Sequence, residues 1–150
     1  MNADFMEESK IELKHSELTE KIIGVFFDVY NELGHGFLEA VYAEAMALAL
    51  GTAGLEVRRE VEIPVWFRGK LIGDFRADLV VEEAVILELK AVRAIDQAFE
   101  KQLLNYLRAT DFEIGLILNF GQKPEFRRLV FENTRKKIRV HPRKSAAREG

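Results

Sequence analysis

The sequence contains no cysteine, and this absence excludes disulfide bonds, thiolate zinc sites and cysteine nucleophiles. It also lacks any apolar run close to the roughly 18 residues that a membrane-spanning helix needs. Charged residues are spread through residues 1–14, so no secretory signal is expected at the N-terminus. From these absences we expect a protein of the reducing cytoplasm that does not enter a membrane.

Histidines and phosphate-binding loops are equally scarce. The three histidines, His15, His35 and His141, are too scattered to suggest a histidine metal site or a catalytic triad. The stretch Gly34-His35-Gly36 lacks the remainder of either nucleotide-binding fingerprint, so no nucleotide cofactor is expected. His35, between two glycines, is predicted to lie in a loop.

The length and composition are those of one folded, water-soluble globular domain: 150 residues, 48% hydrophobic and 31% charged. The net charge of −3 hides an asymmetry. Residues 121–150 carry ten Lys/Arg against three Asp/Glu, whereas residues 1–120 carry twelve basic against 22 acidic residues. The basic end suits contact with phosphate, and a solvated tail that keeps the protein soluble is the alternative interpretation.

Apolar periodicity predicts the order helix, helix, three strands, helix, strand, strand. The helices are expected at 17–33, 38–50 and 97–109, the last with Asp96 as N-cap, and the strands at 57–67, 71–81, 85–92, 114–119 and 126–131. Because the third helix is a crossover, its two flanking strands should be parallel, which gives a mixed central sheet flanked by helices. We expect an N-terminal extension at 1–16, a domain at 17–132 and a basic C-terminal tail at 133–150.

The strand at 85–92 contains two opposite charges on one face. Alternation places Glu88 and Lys90 together, and a three-residue loop at 82–84 would pair Val81 with Val85 and set Asp78 opposite Glu88. Two carboxylates this close repel each other, and a hard cation such as Mg²⁺ or Mn²⁺ removes the repulsion and takes oxygen ligands. A structural salt bridge on an exposed sheet face is the alternative.

These residues resemble a known signature. Asp78 followed by Glu88-Leu89-Lys90 on the next strand is similar to the D…(D/E)XK signature of the PD-(D/E)XK nuclease-like superfamily, and the predicted element order agrees with that superfamily's core. The segment Gly36-Phe37-Leu38-Glu39-Ala40-Val41-Tyr42 resembles the signature of the GxxExxY family within it. Two further blocks, at 102–107 and 115–121, resemble that family, and Ala77 stands where the superfamily's name has proline.

The resemblance implies a site and an activity. Asp78 and Glu88 would be metal ligands for Mg²⁺ or Mn²⁺, Lys90 the catalytic lysine, Glu39 the acidic residue of an early core helix and Gln102 a site residue on the later helix. The implied function is a metal-dependent nuclease that hydrolyses phosphodiester bonds in nucleic acid. The alternative is a catalytically silent module that keeps the nuclease fold and binds nucleic acid or a protein partner. The sequence does not indicate the oligomeric state.

Overall fold

The computed structural model describes residues 3–136, with side chains from residue 15 onward. Its first two elements are helices. They are α1 (Ala3–Leu33) and α2 (Glu39–Thr52). Helix α1 begins well before the predicted position 17, because residues 3–16 contain neither proline nor glycine and nothing in them breaks a helix. The boundary of an N-terminal extension at residue 16 stays a prediction, and residues 137–150 of the predicted basic tail lie outside the described residues.

One five-stranded mixed sheet follows, with the strands in the order β1-β2-β3-β4-β5. The elements are β1 (Val57–Phe67), β2 (Lys70–Val81), β3 (Val85–Lys90), α3 (Gln97–Arg108), β4 (Ile114–Phe120), β5 (Pro124–Val130) and a 3₁₀ turn (Asn133–Arg135). Strands β3 and β4 are parallel across the α3 crossover, and the other neighbouring pairs are antiparallel. The predicted α/β fold with a mixed sheet flanked by helices is confirmed.

The helices cover both faces of this sheet. Helices α1 and α2 pack on one face, where Val85, Leu87 and Leu89 join a buried cluster with Phe26 of α1 and Met46 of α2. Helix α3 covers the other face, and the alternation predicted for β3 therefore holds. In the part of the chain that the structure describes, no helix combines the length and apolar character needed to cross a bilayer.

Strand β3 is shorter than predicted, because it ends at Lys90 and not near Val92. The main chain of Val92 pairs instead with the side chain of Asn119, which accepts its N–H at 2.9 Å and donates to its carbonyl at 2.9 Å. Strand β5 starts earlier than predicted, at Pro124, which an edge strand tolerates because one row of its N–H groups has no strand to pair with.

The β1–β2 ribbon changes faces at Asp78. Phe75 and Ala77 pack on the α3 side, whereas Leu79 and Val81 pack on the opposite side, although all four positions are odd-numbered. Glu60, the residue opposite Asp78 in the antiparallel register, has a left-handed φ of 50°. Asp78 therefore lies at an irregular point of β2, where the side chain is not fixed by ordinary strand alternation.

We predict that Gly121→Ala destabilises the fold and that Gly24→Ala does not. A Cβ at position 121 would lie 2.3 Å from the carbonyl oxygen of Val92, a main-chain atom that cannot move without displacing the segment after β3. We expect a loss of about 1–3 kcal/mol in the free energy of unfolding, measured by urea denaturation. Gly24, an exposed position inside α1 with no atom within 4 Å of its added Cβ, is the matched control and should gain about 0.5–1 kcal/mol. Equal stability of Gly121→Ala and the wild type would contradict the proposed close contact.

Candidate active site

Asp78 and Glu88 face each other at the end of the β2–β3 ladder. The predicted register is confirmed, since Val81 pairs with Val85 and Leu79 with Leu87. Regular pairing stops there, and the next main-chain donor of β3, the Leu89 N–H, donates to Asp78 Oδ2 at 2.7 Å. The carboxylate of Asp78 thus replaces a main-chain acceptor at the point where the two strands separate.

The Oε2 atom of Glu88 is buried beside this contact, and it has no hydrogen-bond partner among the residues that the structure describes. Burial is the largest cause that raises the pKa of Glu88 to about 8, and the negative charge of Asp78 is the second cause. The N–H of Asp78 and the charge of Lys90 oppose the rise in this pKa without cancelling it. Burial also raises the pKa of Asp78, against the hydrogen bond from Leu89. The surroundings of both carboxyl groups therefore disfavour their negatively charged forms.

Lys90 points to an aromatic ring and not to either carboxylate. Its Nζ lies 4.2 Å from the centroid of the Phe99 ring, in a cation–π contact on the α3 side of the sheet. Among residues 15–136 no ion pair joins Lys90 to Asp78 or Glu88. The arrangement therefore does not match a structural salt bridge. The sequence analysis did not identify Phe99 as a partner of Lys90.

Glu39 reaches the site from the first turn of α2. Its Oε2 accepts the Ala91 N–H at 3.3 Å, directly after Lys90. The preceding loop is held by Tyr42, whose hydroxyl donates to the Gly34 carbonyl at 2.6 Å and accepts the Phe37 N–H at 3.2 Å. Tyr42 is fully buried, so it is a core aromatic residue whose hydroxyl group is hydrogen-bonded. The negative charge of Glu39 adds to the rise in the pKa of both Asp78 and Glu88.

Gln102 lies on α3 over the same part of the sheet. With Glu88, Lys90, Phe99 and Tyr106 it lines a small cavity of about 10 Å³, which is close to the least space that holds one water molecule. The start of α3 is fixed as predicted, because the Asp96 carboxylate accepts the Ala98 N–H at 2.8 Å. The structure thus brings together all five residues that the resemblance singled out.

Asn119 is a further residue that positions the site and that sequence reasoning did not single out. It is fully buried, and its amide binds both main-chain groups of Val92 and, at 3.3 Å, Glu125 Oε1. Glu125 Oε1 also accepts the Ile95 N–H at 3.2 Å. Side chains therefore fix the segment between Lys90 and α3. One signal was available in the sequence: a single amide near the end of an otherwise apolar strand.

The donor set fits a hard divalent cation. Two neighbouring carboxyl groups have raised pKa values, and one of their oxygens is buried with no hydrogen-bond partner among the described residues. Mg²⁺ or Mn²⁺, which take carboxylate oxygens as ligands, would satisfy both features. Within residues 15–136, no three His, Asp or Glu side chains are close enough to form a complete protein cage for a metal. Asp78 and Glu88 are thus the residues that would hold the cation, in agreement with the habit of Mg²⁺ to bind through one or two carboxylates.

Comparison with known proteins assigns the fold to a family. The chain resembles the crystal structure of SSO0001 with 16% sequence identity and a TM-score of 0.48, over 84% of this chain and 62% of that chain. It therefore spans less than two thirds of that protein's length. No curated protein matches it significantly. The PD-(D/E)XK nuclease superfamily matches residues 16–129, which include all the site residues described above. On the strength of that match over most of its length, the chain belongs to the PD-(D/E)XK nuclease superfamily.

Proposed function

We propose that the protein is a metal-dependent nuclease that hydrolyses phosphodiester bonds in nucleic acid, with Mg²⁺ or Mn²⁺ held by Asp78 and Glu88. The observation that supports this most directly is the buried Oε2 atom of Glu88, which lies beside a second carboxyl group and has no hydrogen-bond partner in the described part of the chain. A group in this state costs stability unless a cation compensates it. The superfamily match supplies the class of reaction.

Each charged residue has a distinct role in this proposal. Asp78 and Glu88 provide the ligand oxygens, and Asp78 at the same time fixes β3 through the Leu89 N–H. When bound, the cation supplies positive charge to phosphate oxygens and lowers the pKa of water. The Lys90 ammonium group orients the water or stabilises the negative charge that develops on a phosphate oxygen. Its contact with Phe99 leaves the ammonium free of any competing carboxylate among the described residues.

Glu39 and Gln102 act beside this centre. Glu39 accepts the N–H of Ala91, the residue after Lys90, and so holds the main chain in place where β3 ends. Gln102 borders the cavity next to Glu88 and Lys90, where its amide can donate a hydrogen bond to a water molecule or to a phosphate oxygen.

We also propose that the chain is a member of the GxxExxY family. Three positions of that signature have a physical role here. Gly36 has a φ of 112°, which favours glycine, and Glu39 accepts the Ala91 N–H. Tyr42 closes the loop through its hydroxyl group. The motif thus builds the connection that carries an acidic side chain to the end of β3.

Metal binding should depend on the two proposed ligands. Isothermal calorimetry should show that Mn²⁺ and Mg²⁺ bind to the wild type. Thermal unfolding should show a higher melting temperature in the presence of either cation, because the cation binds the folded state alone. Asp78→Asn and Glu88→Gln should each lower the metal affinity by at least about tenfold. Removal of a residue that only hydrogen-bonds a metal ligand already lowers metal affinity by about this factor, and removal of the ligand itself should lower it at least as much. Asp74→Asn, an exposed change on the same strand, is the control and should bind like the wild type. Absence of binding at millimolar metal in the folded wild type would contradict the metal site.

Lys90→Met should separate metal binding from cleavage. The change removes the ammonium and keeps an apolar stem against Phe99, so metal affinity should persist while the turnover of labelled DNA or RNA falls by about 10²–10³-fold. Lys123→Met, at an exposed position on the β4–β5 turn, controls for loss of a positive charge. Undiminished cleavage by folded Lys90→Met and Glu88→Gln proteins would exclude the mechanism. Binding of nucleic acid by the wild type without any cleavage would favour the silent module.

The metal-free protein should lose stability as the pH rises. Glu88 has a pKa of about 8 in the folded chain against an ordinary value of 4.5, so the folded state keeps a proton that the unfolded state has released between these values. Glu88 alone should therefore lower the free energy of unfolding across this window by at most about 1.4 kcal/mol per pH unit. The raised pKa of Asp78 adds a decline in the same direction. Thermal unfolding in EDTA measures the effect, and Glu88→Gln should flatten most of the decline. A variant that declines as steeply as the wild type would assign the pH dependence to other groups.

A further inference from the structure

A groove of about 530 Å³ runs along the outer side of α3, next to the candidate active site. Its floor contains Val65 of β1 and the ring of Tyr106, which is stacked on Phe75 with ring centroids 4.0 Å apart. Tyr106 and Gln102 line both this groove and the small cavity beside Glu88 and Lys90. The groove and the proposed reaction centre are therefore contiguous.

The rim of the groove carries three polar side chains from one face of α3. Lys101, Gln102 and Asn105 are all exposed, and within the described part of the chain none of these side chains has a hydrogen bond or an ion pair. Among the residues that the structure describes, none that lines the groove is acidic, although acidic residues outnumber basic ones in residues 1–120. One ammonium and two amides thus surround an apolar floor.

This chemistry suits one nucleotide. An apolar floor accepts the face of a base, amides recognise the donor and acceptor edge of a base, and a lysine pairs with phosphate. The volume is within the roughly 300–1,000 Å³ typical of small-ligand sites. A base that is paired and stacked inside a duplex cannot enter a groove between a helix and a strand, so the nucleotide has to be unpaired.

We propose that this groove binds an unpaired nucleotide of the substrate strand, next to the phosphate that is cleaved, with Asn105 at the base edge and Lys101 at the flanking phosphate. The inference rests on the proposed nuclease function, which it deepens by naming single-stranded nucleic acid as the substrate class. Gln102 connects the two sites, because its amide borders both the groove and the cavity at Glu88.

The test measures binding apart from cleavage. A fluorescein-labelled single strand of about 12 nucleotides is titrated with the full-length protein in EDTA by anisotropy, beside the same strand with abasic sites and the corresponding duplex. The variants are Lys101→Ala, Asn105→Ala and Ala98→Trp, the last of which fills the groove from an exposed position. Lys21→Ala and Asn31→Ala, the same changes at exposed positions of α1, are the matched controls.

Asn105→Ala and Ala98→Trp should weaken binding of the normal strand by about fivefold or more and leave binding of the abasic strand unchanged. The first variant removes a hydrogen bond to the base, and the second occupies the space that the base would take. Lys101→Ala should weaken both strands and reduce the slope of log Kd against log salt by about 0.7, the value for one phosphate contact on a single strand. The α1 controls should bind like the wild type.

The outcomes separate this inference from the function on which it rests. If the wild type binds the strand but no metal supports cleavage, the nuclease proposal fails while the groove variants still decide the binding site. If the wild type cleaves and the groove variants bind and cleave the normal strand like the controls, the groove inference fails alone. Failure of the wild type to bind the single strand, or tighter binding of the duplex with no loss in Asn105→Ala, would also overturn it.

Discussion

The hydrogen bond from the Leu89 N–H to the Asp78 carboxylate is the constraint around which the sheet and the candidate site are arranged. Strand β3 is paired along its whole length with β4, but only its first half is paired with β2. A side chain completes the second half, so the strands remain connected where their main chains diverge. Without that carboxylate, the N–H of a nearly fully buried residue would lose its acceptor, and a buried N–H without a partner costs roughly 1–3 kcal/mol.

The same arrangement places like charges in a poorly solvated position. The charge of Glu39 raises the pKa of both Asp78 and Glu88, and the charge of Asp78 raises the pKa of Glu88 further. Lys90 opposes both shifts, but its ammonium group is held against an aromatic ring. Close packing on the α3 side maintains this geometry, because a Cβ at Gly115 of β4 would lie 2.9 Å from Leu103 of α3. This electrostatic arrangement lowers the stability of the folded protein, which is typical of a functional site.

Local sequence patterns predicted what depends on neighbouring residues. The turn at 82–84 fixed the register of Asp78 and Glu88, the alternation of β3 fixed its two faces, and Asp96 marked the start of α3. Three features depended on contacts between distant segments and were not predictable in this way. They are the change of faces at Asp78, the pairing of Asn119 with the main chain of Val92 and the contact of Phe99 with Lys90. The predicted start of α1 was also wrong, since apolar periodicity identifies only the part of a helix that packs on a core.

The short turn between β2 and β3 has a consequence for the order in which the site forms. Asp78 and Glu88 are brought together by a hairpin of neighbouring residues, whereas Glu39 and Gln102 arrive only when α2 docks and the chain crosses over to β4. Local pairs form earlier than pairs that require closure of long loops. We therefore expect the repulsion between the two carboxylates to arise as soon as the hairpin closes, before the helices α2 and α3 dock. We expect the charge of this pair to act in the folding transition state, so that its neutralisation accelerates folding more than it slows unfolding.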